Sequence, residues 1–224
     1  MALKQSDVVT RRQPARVNAG PSVVSMRAVF PISAALAAGD IIEMLVLPAD
    51  CVLVDAVLDA DDLDSGASPT LAYDVGIMSG PVGLKDATRT VSNQIFSGAT
   101  TGQAAGAARA SARTAFTIEP KGVDRSIGIK VSTAAATAVV SSTSGTNNRG
   151  LWQANTVYAQ NDYIILPNGL RAWASTAGTS GIDIPLAFDS TLFGSTVTDG
   201  GVTWTIQDPY LALTVSYRST YAGQ

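Results

Sequence analysis

The chain has 224 residues, 46% of them hydrophobic and 15% charged, with 20 glycines, one cysteine, no histidine and a formal net charge of -3. That length holds one large β-domain or two small ones with an adequate core, and a composition so rich in small residues and poor in charge is that of β-structure rather than disorder. The missing histidine excludes Ser-His-Asp and Cys-His catalysis and every histidine metal site, and the lone Cys51 excludes an intrachain disulfide. No stretch reaches the roughly 18 consecutive apolar residues of a membrane helix, and the N-terminus carries no signal-peptide apolar region, so synthesis in a cytoplasm without a membrane partner is expected.

Residues 1–21 are polar and aperiodic, with Pro14, Gly20 and Pro21, and read as an extended arm. Lys4, Arg11, Arg12 and Arg16 against Asp7 give residues 1–20 a charge of +3, leaving the remainder acidic. No aromatic residue is interleaved among them, so these four are candidates for a contact with the acidic surface of a neighbouring subunit rather than with nucleic acid. In SVVSMRAVFPI, Ser22 to Ile32, a first strand is expected with Val24, Met26 and Ala28 on one face. SAALAAGD, Ser33 to Asp40, has length only for a turn, which Gly39-Asp40 stops.

Ile41 to Ser79 reads as three consecutive strands forming a meander. Ile41 to Leu47 is an apolar run suited to burial on both faces, and Pro48-Ala49-Asp50 breaks it. The second strand alternates, placing Val52, Val54, Ala56 and Leu58 on one face and Asp55 and Asp59 on the other. After the acidic loop Asp59 to Pro69, Leu71, Tyr73, Val75 and Ile77 line one face of the third. One dry and one wet face require a partner sheet, so the expected fold is all-β, a β-sandwich or jelly roll.

Gly80 to Arg89 is then a loop, Thr90 to Phe96 a short strand or helical turn, and Gly98 to Arg113 a flexible small-residue loop. Thr114 to Glu119 and Ser126 to Ser132 read as strands joined by the hairpin EPKGVDR, with Phe116 and Ile118 sharing a face of one and Ile127, Ile129 and Val131 a face of the other. Ala134 to Gly150 loses alternation and reads as a linker. Beyond it lie all three tryptophans, Trp152, Trp173 and Trp204, in short strands joined by glycine turns. A module this small has little aliphatic core, so tryptophan is expected to supply it. In the last strand, Tyr210 to Tyr217, Leu211, Leu213, Val215 and Tyr217 face one way and Ala212, Thr214 and Ser216 the other. Its aliphatic character matches the first half, which makes 151–208 an insertion before the final strand of a discontinuous domain, 22–150 plus 209–224.

Little in the chain carries chemistry. Asp59, Asp61, Asp62 and Asp64 miss the EF-hand pattern, because Leu63 and Thr70 occupy ligand positions. No metal, cofactor or catalytic residue is therefore assigned, and no enzyme activity is expected. Trp173 and Tyr163 are the candidates for stacking on the sugar rings of a glycan.

The segments LPADCVLVDAVLDADDLDSGASPTLAYDVGIMSG, DRSIGIKVSTAAATA and LALTVSY resemble a family of tailed-bacteriophage head decoration, or capsid cement, proteins. Trp152 and Tyr158, NDYI at Asn161 to Ile164, GTSG at Gly178 to Gly181 and TDGGVTW at Thr198 to Trp204 resemble a small β-module recurring in phage virion proteins. The resemblance implies a trimer on the outer capsid surface, holding major capsid proteins together. The alternative it leaves is a glycan- or receptor-binding component of a head or tail fibre.

Overall fold

The computed structural model describes residues 2–6, 9–10, 22–140, 148–160, 162–166, 171–185, 188, 196–206 and 209–220. In chain order its strands are β1 (Leu3–Gln5), β2 (Val24–Pro31), β3 (Ile41–Leu47), β4 (Cys51–Ala60), β5 (Ala72–Ile77), β6 (Phe96–Ala99), β7 (Gly106–Arg109) and β8 (Arg125–Thr133), followed by β9 (Asn148–Leu151), β10 (Val157–Tyr158), β11 (Tyr163–Ile165), β12 (Arg171–Thr176), β13 (Gly178–Thr179), β14 (Thr196–Asp199), β15 (Val202–Ile206) and β16 (Tyr210–Ser219). One helical turn, α1 (Arg113–Phe116), and a 3-10 turn at Thr101–Gln103 are the helical elements among the described residues. The chain divides into two compact units, Met1–Phe30 with Ala35–Val139 and Tyr210–Gln224, and Pro31–Ala34 with Val140–Pro209.

The first unit has two sheets, ordered β1-β3-β8-β5-β6 and β2-β16-β4-β7, as the all-β sandwich expectation requires. All seven residues of β3 are buried, because β1 and β8 flank it and both its faces are covered. A meander does not form. β3 and β5 lie in one sheet on either side of β8, while β4 lies in the other between β16 and β7. The apolar pattern that makes each strand is indifferent to which neighbour it bonds, so pairing is decided by packing between sheets.

Further expectations fail for local reasons. Ala56 and Leu58 face inward, but Val52 and Val54 do not; Cys51 and Leu53 are buried instead. The register with β16 slips between Ser216 and Tyr217, so the extra residue of a β-bulge reverses the strand's parity there. Thr114 to Glu119 holds the helical turn α1 and not a strand, which leaves Phe116 exposed and buries Ala115 and Ile118. Consequently EPKGVDR is not a hairpin turn, and β8 pairs with β3 and β5. The small-residue segment Gly98 to Arg113 contributes β7, which bonds along β4 from Gly106 to Arg109 and closes that sheet's edge.

In the second unit β14-β15-β12-β11-β9 make one sheet and β10-β13 a two-stranded ribbon. Its core is Tyr158, Ile164, Leu166, Ala172, Ala174, Phe188, Val197, Val202, Trp204 and Ile206, with Trp152 packed on its margin. Trp204 is fully buried and meets the Tyr158 ring edge-on at 4.8 Å, so an aromatic pair fills the volume that aliphatic residues fill in the first unit. Gly178 has no room for a side chain, since a Cβ there would overlap the Gly201 backbone, and Gly200 sits at a φ of 60° that glycine adopts without strain.

Candidate interaction surfaces

Of the basic arm residues, Lys4 is placed by β1, which pairs in parallel with β3 so that Lys4 lies opposite Ile42. Its ammonium lies 5.9 Å from the Phe30 ring centroid, a cation-π contact. Around it Ala2 N–H donates to Asp40 Oδ1 at 2.7 Å, Gln5 Nε2 to Glu43 Oε2 at 2.7 Å, and the Ser6 hydroxyl to the Met44 carbonyl. Arg11, Arg12 and Arg16 lie outside the described residues.

The acidic cluster is dispersed into separate structural roles. Asp59 is held by a bidentate Arg27 fork at 2.6 Å, and Asp61 accepts the Tyr210 N–H at 2.9 Å. Asp64, buried, accepts backbone N–H bonds from Gly66, Thr70, Leu71, Ala136 and Thr137 at 2.7–3.4 Å. Burial pushes the Asp64 carboxyl upward, but those backbone donors outweigh it and hold it well below the usual carboxylate range. Burial and the neighbouring Asp59 charge push Asp61 the other way, up to about 6, against the Tyr210 hydrogen bond. Among the described residues no group of three or more metal-ligating side chains is gathered. Cys51 is free and buried.

Tyr163 and Trp173 are brought together. They are directly opposite in the antiparallel pair β11 and β12, and Trp173 in turn lies opposite Thr205 of β15. Both are half-buried, on the face away from Ile164, Ala172, Ala174 and Trp204. The Arg171 guanidinium sits 5.7 Å from the Tyr163 ring centroid, and Trp173 Nε1 is enclosed with no acceptor among the described residues. The other two tryptophans serve the core. Trp152 Nε1 and Trp204 Nε1 both donate to Asp199 Oδ2, at 2.7 and 2.9 Å, while Asp199 Oδ1 accepts the Gly181 N–H at 2.7 Å. Ser180 Oγ donates to the Gln153 carbonyl and accepts the Thr156 N–H. Asp162 accepts from Arg149 at 3.2 Å and from the Ala159 N–H at 3.0 Å. The residues of the W, NDYI, GTSG and TDGGVTW segments are therefore those that tie the module's loops to its core.

One residue with an unusual environment was missed from the sequence. Arg125, the first residue of β8, shares the face of Ile127, Ile129 and Val131. Its Nε and Nη2 are enclosed without a hydrogen-bond partner, and burial alone pushes its guanidinium below the usual arginine range. The signal was available: counting back in steps of two from Ile127 puts a charged residue on an apolar face at a strand end.

No family model matches the chain, and no curated protein matches it. Among solved structures, a chain of the capsid of Ralstonia phage GP4 is 31% identical, over 99% of this chain and 100% of that one, with a TM-score of 0.63. A chain of the cyanophage Pam1 capsid asymmetric unit is 15% identical over 92% of this chain and 91% of that one, with a TM-score of 0.49.

Proposed function

Since the chain belongs to the family of the matched Ralstonia phage GP4 capsid chain, and so is a structural component of a phage virion, we propose that it is a decoration or cement protein on the outer surface of the head. The observation that carries this is 31% identity to a capsid component along the whole of both chains. The finer role is supported by the segments that resemble decoration proteins, which fold here as β4, β5, β8 and β16 of the sandwich. In this role the first unit binds the major capsid protein and its sister copies, as a trimer at three-fold points of the lattice, and no catalysis is involved. Many weak contacts repeated over the shell stabilise the head by multivalency. The basic arm, with Arg11, Arg12 and Arg16, contributes charge contacts to an acidic neighbour.

A cryo-EM map of the intact virion tests this. Density for the chain on the outer lattice is expected; density confined to the tail or to a single vertex would overturn it. One observation favours a second use of the same protein. The Tyr163–Trp173 pair presents aromatic surface beside Arg171, as a glycan-stacking site of a host surface requires. Binding on a glycan array that Trp173→Ala abolishes would establish it, and a blank array would remove it.

A further inference from the structure

The five-stranded sheet of the second unit has one face on its core and one left open. Ile164, Ala172, Ala174, Val197, Trp204 and Ile206 point inward, so the residues between them in each strand form the open face. Register fixes how they line up. Asn148 of β9 lies opposite Tyr163 of β11, Tyr163 opposite Trp173 of β12, Trp173 opposite Thr205 of β15, and Thr205 opposite Thr196 of β14. These residues make one unbroken row that crosses all five strands. Four strand spacings of about 4.8 Å give the row a length of roughly 19 Å. Its two ends, Asn148 and Thr196, are exposed, and the three residues between them are half-buried.

The row has rings at its centre and hydrogen-bonding groups at its ends. The Thr205 and Thr196 hydroxyls and the Asn148 Nδ2 have no hydrogen-bond partner among the described residues; Asn148 is engaged only through Oδ1, which accepts the Gly150 N–H at 2.9 Å. Beside Thr205 and Thr196 stand Thr203 and Thr198, again opposite each other, so the β14–β15 half of the face is lined with hydroxyls. The row itself carries no charged side chain, and the neighbouring Arg171 lies over the Tyr163 ring. It therefore offers an ionic ligand no counter-charge of its own. A pyranose sugar is divided in the same way, with an apolar C–H face and a rim of hydroxyls. Aromatic rings match the first, and amide and hydroxyl groups the second.

We propose that this row is a binding strip for an unbranched, uncharged oligosaccharide of about four pyranose units, laid across the strands. The inference rests on the glycan reading of the Tyr163–Trp173 pair and adds the ligand's length, direction and charge. One strand spacing is about the length of one extended pyranose unit, so about four units fill the row. The middle sugars stack on Tyr163 and Trp173, while hydroxyls of the end sugars bond to Asn148 on one side and to Thr205 and Thr196 on the other. Stacking supplies most of the affinity, and the two ends select chain length. Asn148→Ala and Thr196→Val should each weaken a tetrasaccharide about three- to tenfold, the range of one hydrogen bond, and leave a disaccharide unaffected. Both substitutions lie on the exposed ends of the face, and valine suits a strand as well as threonine does.

The experiment titrates the full-length protein calorimetrically with cello- and manno-oligosaccharides of one to six units, and with oligogalacturonates of the same lengths as the acidic counterpart. Tm is recorded for each variant. Affinity that climbs to four neutral units and then levels, is lost in Trp173→Ala, and falls in Asn148→Ala and Thr196→Val at four units but not at two supports the strip. Equal affinity for two and four units, or end variants that bind like wild type, overturns the strip; loss of disaccharide binding in Trp173→Ala would then leave the glycan reading standing. Tighter binding of the oligogalacturonates overturns the uncharged ligand. No binding in any series overturns the strip, and the glycan array then decides the aromatic pair separately. Should Trp173→Ala unfold, the two end variants decide by themselves.

Discussion

The two units solve the same problem with different materials. In the sandwich, burial is aliphatic: β3, β8 and β16 carry Ile41, Ile42, Leu45, Leu47, Ile127, Ile129, Leu211, Leu213 and Val215 at 2% exposure or less. Its buried carboxylates sit in closed sets, Glu43 with Arg89 and Asp64 with its backbone donors, whereas Arg125 keeps two enclosed nitrogens without a partner. The second unit has too few strands to bury so much aliphatic surface. It relies on Trp204, Tyr158 and Phe188, and then on Asp199, whose carboxylate accepts from two indoles and a glycine amide at once. A small β-module therefore depends on a few irreplaceable polar contacts, whereas the larger one spreads its stability over many replaceable ones.

The sharpest test of that contrast is to break one polar set in each unit. Arg89→Met should be the most damaging change, because it leaves Glu43 buried with its charge uncompensated, at a cost of about 3–5 kcal/mol. Burial pushes the Glu43 carboxyl upward, and the hydrogen bonds from Ser126, Gly83, Gln5 and Arg89 hold it below its usual range. Losing one of those donors raises that carboxyl, so the stability that Glu43 contributes above about pH 4.5 shrinks, and the deficit of Arg89→Met against wild type in denaturant titrations should be largest near neutral pH and narrow as the pH falls below about 4.5. Asp199→Ala comes next. It strands the Trp152 and Trp204 indole N–H groups and the Gly181 amide, costing about 3 kcal/mol from unsatisfied buried donors. Tryptophan fluorescence should report that loss as early melting of the second unit, while the far-UV signal of the sandwich strands persists to higher temperature. Simultaneous melting of both units would show that the module has no independent stability.

The same contrast explains what could be seen in the sequence. The strands of the sandwich are legible because aliphatic alternation is a direct consequence of burial, and β3, β8 and β16 fall where the pattern places them. Their partners are not legible. Nothing in Ile41 to Leu47 distinguishes bonding to β4 from bonding to β8, and a single bulge at Val54 and Asp55 is enough to turn Val52 and Val54 outward. Thr114 to Phe116 alternates like a strand, yet it forms one helical turn because Ala115 alone needs burial there. In the module the reverse holds. Its strands are short and weakly patterned, but Trp152, Gly178, Ser180, Asp199 and Trp204 are each demanded by a specific contact, so they are recognisable as a motif. The aromatic pair Tyr163–Trp173 was legible as residues, and only strand pairing made them neighbours.

A smaller change should act in the stabilising direction. Asp61 is buried beside Asp59, which pushes its carboxyl up to about 6 from an ordinary 3.8. The folded state therefore holds this proton more tightly than the unfolded chain does. Below about pH 4 both states are protonated and the group costs nothing; the cost grows as the pH rises towards 6 and is constant above it. Asp61→Asn keeps an oxygen for the Tyr210 N–H and removes the charge. It should stabilise the first unit by about 1 kcal/mol at pH 7.5, less than the full proton linkage because the site lies near solvent, and by nothing at pH 3.5. A stability difference that is flat between those two pH values would mean that Asp61 is not the titrating group.

The weakest expected effect separates the inner aromatics from the outer ones. Trp204 and Tyr158 are fully buried and lock the core, but Tyr163 and Trp173 touch only across the half-buried outer face of β11 and β12. A double-mutant cycle with Tyr163→Ala and Trp173→Ala should therefore give a coupling of about 0.2–1 kcal/mol, the range of a cross-strand pair on a sheet surface. Trp173→Phe should cost little more than its lost area, since its Nε1 has no hydrogen bond to lose among the described residues. Trp204→Phe, by contrast, forfeits both packing volume and the bond to Asp199, and should cost several times as much. If the two substitutions proved equally damaging, the outer pair would be part of the module's structural core. A small cost at Trp173 means that the aromatic surface there is free to be spent on a ligand.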